Sequence, residues 1–214
     1  MHLILWPAAI TLTITLLRLV GELQLWAPAL FNRAAGGGGA LVGISWLPIV
    51  LGPYFAWKLA QDGKGPANAW KVAGMAVLGV LVSIGAFVAV QALGLGPWGF
   101  IAGFFVCLAL AFLPWKAWPE LWPELGRTLF GYALAARIPV TLVMLVAIFG
   151  NWGTHYDVLP PDAPPMLVSA GPLARWFWIG LLPQMTIWIA NTVLVGTLLG
   201  AILVAVVKPK PSAG

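Results

Sequence analysis

Charge is what this chain has least of. Only 8% of its 214 residues are Asp, Glu, Lys or Arg, against about 25% in an average soluble domain. That scarcity rules out a water-soluble fold, which could not cover its surface with so few ionic groups. Cysteine is almost absent: a lone Cys107 permits no intrachain disulfide and no thiolate metal site, and it reads as a small packing residue. There are two histidines, His2 and His155, near the terminus and far along the chain. On the topology derived below they lie at opposite membrane faces, so they cannot share a metal or a haem iron. No metal and no cofactor is expected. The glycine run "AGGGGA" lacks the GK[ST] ending of a phosphate loop and the spacing of a dinucleotide fingerprint. It fits an irregular or closely packed backbone instead.

What is abundant is apolar: 61% of residues, in runs long enough to cross about 30 Å of hydrocarbon. The expected fold is an all-α polytopic transmembrane bundle forming a single domain over 1–214. About six spans are expected, near 3–20, 40–60, 70–93, 98–114, 128–149 and 184–206. The run after residue 172 exceeds one span, and Pro183 offers a break. This predicts a short interfacial helix near 173–182. The opening segment resembles a signal peptide but lacks a basic leader, and its apolar run is too long, so it is read as the first span.

The net charge of +5 comes from scattered basic residues with no Lys/Arg run, so nucleic acid is not an expected partner. With six spans, Lys58, Lys64, Lys71, Lys116, Arg127, Lys208 and Lys210 fall on one side, and Arg18, Arg33 and Arg175 lie near the other. The positive-inside rule then places both termini in the cytoplasm. The expected location is the inner (plasma) membrane of a bacterium. Tryptophans divide into two interfacial belts: Trp57, Trp70, Trp115, Trp118 and Trp122 on the basic side, and Trp26, Trp98, Trp152, Trp176 and Trp178 on the other. The repeated "WPEL" at 118–125 reads as an interfacial strap entering the fifth span through a proline-tolerant first turn.

Three GxxxG pairs, Gly39/Gly43, Gly99/Gly103 and Gly196/Gly200, permit close helix contacts and with them a homo-oligomer or a membrane-protein partner. Arg18 and Glu22, spaced i, i+4, read as a snorkelling anchor.

Two groups of residues carry candidate chemistry. The first centres on Arg137, about nine residues into its expected span and so roughly 14 Å into the hydrocarbon. An arginine there costs about 2.5 kcal/mol or more to insert and must face protein or water. Pro139 frees the carbonyl of Ala135, Thr141 shares Arg137's face, and Gln184, Trp188 and Asn191 fall at i, i+4, i+7 in the last span. Arg137, Thr141, Gln184 and Asn191 are therefore candidate contacts for a small anion or an anionic lipid. The second group is the loop "GNWGTHYDVLPPDAPP" at 150–165, where Asp157 could orient His155 for proton transfer and Glu22 and Arg33 lie on the same side. A loop this rich in glycine and proline must be polar in any case.

The leading expectation is a non-enzymatic protein that binds or moves a small anionic or amphipathic ligand through a cavity containing Arg137. The alternatives are an accessory subunit of a larger membrane complex and a lipid-processing enzyme using His155 and Asp157. No residue is assigned as catalytic.

Overall fold

The computed structural model describes residues 2–37, 39–117, 121–161 and 163–209, without the side chains of His2, Gln91, Pro97, Trp98, Phe100 and 113–117. Among the described residues the secondary structure is entirely helical: α1 (His2–Leu23), α2 (Leu47–Gln61), α3 (Ala69–Ala92), α4 (Gly96–Ala117), α5 (Pro123–Gly150), the single turns α6 (Pro165–Val168) and α7 (Pro172–Arg175), a π-helical segment Trp176–Leu181, α8 (Leu182–Met185) and α9 (Ile187–Val207). Four stretches are long and apolar enough to cross a membrane: Leu3–Leu23, Ala69–Val90, Pro123–Gly150 and Pro172–Val207. This architecture is that expected of an integral membrane protein.

The exposed faces of these helices would be untenable in water. On α5, Ile138, Leu142, Val146 and Phe149 are each about half exposed and recur at helical spacing. On α1, Leu5, Trp6, Ile10, Leu12, Leu16, Leu17 and Val20 are exposed in the same way. Lipid, which is as apolar as these side chains, carries no penalty for contacting them.

The remaining two expected spans differ. α2 has 15 residues, about 22 Å at 1.5 Å per residue, and starts at Leu47 instead of near residue 40. Its first turn carries Pro48, which tolerates that position because the missing N–H has no helical partner there. Residues 39–46 are irregular, with Gly39 at φ 72°. α4 has 22 residues, about 33 Å at 1.5 Å per residue, and its described side chains form the apolar stretch Ile101–Phe112. α5 begins at Pro123, earlier than expected, with Glu124 in its first turn.

The chain forms two compact units. The first comprises residues 1–4, 46–134 and 186–214. Its core holds Phe55, Leu125, Leu129 and Tyr132, all at most 2% exposed, with the Phe55 and Tyr132 rings 5.4 Å apart. α2 and α9 cross with almost no side chain between them. A methyl group on Gly52 would collide with the Gly196 backbone, and one on Gly200 would sit 2.9 Å from the Gly52 carbonyl oxygen. The Gly196/Gly200 face is therefore occupied within the chain. Gly103 makes room for Phe87, and Gly99 for Val90 and Leu95. Gly39 and Gly43 are not helical, so that pair is no helix-packing motif.

Trp122 also departs from expectation. It is 2% exposed, donates from Nε1 to the Lys64 carbonyl at 2.6 Å, and holds φ 95°, so it is a core residue and not part of an interfacial belt. Trp70, 60% exposed, is placed as a belt residue would be. Residues 118–120 of the "WPEL" strap, the Trp98, Trp115 and Lys116 side chains, Lys210 and Asp162 lie outside the described residues.

The second unit comprises residues 5–45 and 135–185. Its apolar core is Val140, Met144, Ala147 and Tyr156, against which Leu19, Ile44, Val143, Trp152, Trp176 and Ile179 pack. The expected break at Pro183 takes a different form. Proline cannot donate, and its ring crowds the carbonyl four residues back. The chain widens into the π segment just before it, where the Leu182 N–H reaches the Phe177 carbonyl. The helical path then breaks at Thr186, with φ −119° and ψ −80°.

Candidate functional site

Both groups of candidate residues lie largely in the second unit, and the structure rearranges each. Around 150–157 the chain leaves α5 through Asn151 (φ 52°) and Gly153 (φ 64°), two left-handed residues that turn it sharply. Asp157 is spent on this turn. Its Oδ2 accepts the Gly153 N–H at 2.8 Å, and its Oδ1 accepts the Thr154 N–H at 2.7 Å and the Thr154 hydroxyl at 2.6 Å. The expected Asp157–His155 pairing is thus replaced by a turn-capping role, for which a carboxylate two residues beyond His155 is well placed.

Glu22 takes the place assigned to Asp157. It is fully buried at the end of α1, with Oε1 2.5 Å from His155 Nδ1 and Oε2 accepting the His155 backbone N–H at 2.8 Å. The ring contact is short but is not aligned as a hydrogen bond.

Arg18 completes the cluster. Its Nε donates to Glu22 Oε1 at 2.7 Å, and Nη2 donates to the carbonyls of Gly37 at 2.9 Å and Asn32 at 3.2 Å. Only 8% exposed, Arg18 does not snorkel: it plugs the 32–43 loop from inside. This explains the glycine run. A methyl on Gly37 or Gly43 would lie 2.7 or 2.8 Å from the Arg18 guanidinium nitrogens, and Gly37 has φ 85° besides. Arg33 binds the other loop, donating from Nε to the Gly153 carbonyl at 2.6 Å and from Nη2 to that of Trp152 at 3.2 Å. Tyr156, 3% exposed, donates its hydroxyl to the Thr15 carbonyl at 3.2 Å and packs its ring beside that of His155.

Burial pushes the His155 pKa below the usual imidazole value. The nearby Glu22 carboxylate opposes the shift, and the Arg18 charge adds to it. His155 is therefore neutral at pH 7. Burial raises the Tyr156 phenol well above its ordinary range.

The structure brings Glu22, Arg33, His155 and Asp157 into one cluster, together with Arg18 and Tyr156, which were not among the expected site residues. The signal that could have exposed Arg18 is the glycine run itself, because small residues of irregular conformation leave room for a long side chain.

Arg137 lies near the middle of the 28-residue α5, about 21 Å from its start, and is 3% exposed. Its Nη1 contacts Gln184 Oε1 at 3.4 Å, and the Gln184 amide contacts Met144 Sδ at 3.8 Å. Both contacts are long. Thr141 serves the helix: its hydroxyl donates to the Arg137 carbonyl at 2.8 Å, and its own carbonyl accepts Trp176 Nε1 at 2.9 Å. Gln184 and Asn191 do not share one continuous helix. α8 ends at Met185 and the register is lost at Thr186, so the i, i+4, i+7 spacing spans two helices, and Asn191 falls in the first unit.

Among the described residues, no three His, Cys, Asp or Glu side chains gather where they could hold a metal ion. No family model, no curated protein and no solved structure matches this chain.

Proposed function

We propose that this chain is a six-span protein of the bacterial plasma membrane, with both termini cytoplasmic, that binds or moves a small anionic or amphipathic ligand at Arg137 and Gln184. α2 and α4 complete the six in this reading. Exposed Lys64, in the turn between α2 and α3, and Lys208, just after α9, support the orientation.

The observation that carries the ligand reading is a guanidinium 3% exposed near the middle of α5, inside a stretch long and apolar enough to cross a membrane. A phosphate or carboxylate offers that fork two charged acceptors at shorter range than Gln184 does. Charged groups at such depth face a pathway or a ligand more often than they serve packing. Thr141 supports the local helix and drops out of the ligand set, as does Asn191. The contact surface is then lipid on the outside and the Arg137–Gln184 pair within.

Native mass spectrometry of protein extracted directly from its membrane tests this. An acidic lipid or small-anion adduct should accompany the wild-type chain and be missing from R137L. Identical adducts on both proteins would remove Arg137 from the reading.

A further inference from the structure

The Arg137 reading leaves unused the cluster at the end of α1, which has a chemistry of its own. Glu22 and His155 are 133 residues apart in sequence, yet one buried carboxylate grips both the backbone and the ring of the histidine. A neutral imidazole nitrogen within 2.5 Å of a carboxylate oxygen must carry the ring proton, since a lone pair there would face another lone pair. That assigns the proton to Nδ1 and leaves Nε2 as the acceptor. The His155 side chain is 16% exposed, whereas Glu22 is fully enclosed, so His155 is the member of the pair that reaches the surface.

Every other charged or titratable group facing His155 is engaged. On α1, Arg18 donates to Glu22. In the 150s loop, Asp157 accepts three donors of its own turn, and Tyr156 donates to Thr15. From the 24–45 loop, Arg33 is fixed on the Gly153 and Trp152 carbonyls. Arg18 and Arg33 balance Glu22 and Asp157, which leaves the neighbourhood without a net charge to attract an ion. The chain flanking both partners is apolar and exposed, with Leu25, Trp26 and Leu30 following Glu22, and Val158 following His155. Trp26 among them is of the kind enriched at the headgroup level of a bilayer.

From this geometry we infer a second site: His155, oriented by Glu22, accepts a hydrogen bond at Nε2 from the hydroxyl of an uncharged amphipathic molecule lying in the membrane interface. The ligand's O–H bond stays intact, and no proton or group is transferred. Glu22 is a positioning residue, since it touches His155 and not the ligand. The site is independent of Arg137, and either can fail without the other.

The sequence makes the test clean. It has only two histidines, so H2Q leaves His155 alone. In lipid nanodiscs, imidazole 15N spectra of H2Q should show the Nδ1–H tautomer at pH 7.5. Diethyl pyrocarbonate should acylate Nε2 at a rate that falls about tenfold per pH unit below the His155 pKa. Dodecanol, an amphipathic hydroxyl, should slow acylation, and dodecane should not. E22Q should lose the tautomer preference, and the H2Q/H155Q double variant should lose the reaction. The Nε2–H tautomer, or an unreactive His155 in folded H2Q protein, would overturn the hydrogen-bond acceptor. Equal protection by dodecanol and dodecane would overturn the ligand class. The H2Q spectra and rates decide both points even if E22Q fails to fold.

Discussion

Glu22 holds His155 twice, through Oε2 to the backbone N–H at 2.8 Å and through Oε1 to the ring at 2.5 Å. The same Oε1 accepts Arg18 Nε at 2.7 Å. A single carboxylate thus ties the end of α1 to the loop after α5 and neutralises the cation that threads the glycine run. Replacing Glu22 by Ala leaves Arg18 buried without its counter-ion, and breaking a buried pair in this way costs about 3–5 kcal/mol. Thermal melts in detergent should show E22A far less stable than H155Q, which keeps the Arg18–Glu22 pair.

Acid should weaken the same attachment. Because burial holds the His155 pKa below its unfolded value, the unfolded chain takes up a proton first as pH falls. The stabilisation is complete above about pH 6.5 and is lost as pH drops from there through the folded pKa. The Tm of wild-type protein should fall between pH 7 and pH 5 more steeply than that of H155Q. Parallel curves would mean that His155 titrates normally.

Asp157 should matter for folding and not for the reactivity of His155. D157N keeps the size but turns an amide NH2 toward the N–H donors of Gly153 and Thr154. A loss of about 1–3 kcal/mol follows from the unmet donors, with His155 still open to acylation in the H2Q background.

Two neighbouring glycines separate backbone strain from packing. Gly36 and Gly37 both have positive φ, but a methyl on Gly36 meets nothing within 4 Å, whereas one on Gly37 meets Arg18. G36A should cost about 1 kcal/mol for the backbone alone, and G37A distinctly more. Chemical denaturation of the pair measures the difference, and equal losses would show that Arg18 yields without cost.

The orientation is tested by thiol labelling in a C107A background. G63C, in the exposed turn after α2, should be shielded from an impermeant reagent in intact cells, and S169C, in the exposed segment after α6, should react. The reverse pattern would invert the topology.

Helical class, the long apolar stretches and the residues of the polar cluster are legible in the sequence because they depend on composition and on run length. Partnership inside the cluster is not. Asp157 is the nearer carboxylate to His155 in sequence, but the tight turn at Gly153 gives it three donors of its own, and Glu22 arrives from another helix. Helical spacing from Gln184 does not carry to Asn191 for a similar reason, since it projects a face only while the helix continues, and the helix stops at Thr186. Trp122 looks interfacial by its neighbours, yet a hydrogen bond to Lys64 draws it into the core.

The central claim, that Arg137 holds a ligand and is not a strut between helices, is tested most directly by melting R137L and R137K in detergent with and without added acidic lipid or phosphate. Leucine removes a buried charge, so the apo protein should be as stable as wild type or more so, while stabilisation by the anion disappears. Lysine keeps the charge but not the fork, so the anion's effect should shrink without vanishing. If R137L instead loses about 1–3 kcal/mol in the apo state and the anion still stabilises it fully, Arg137 braces the helices and the ligand lies elsewhere.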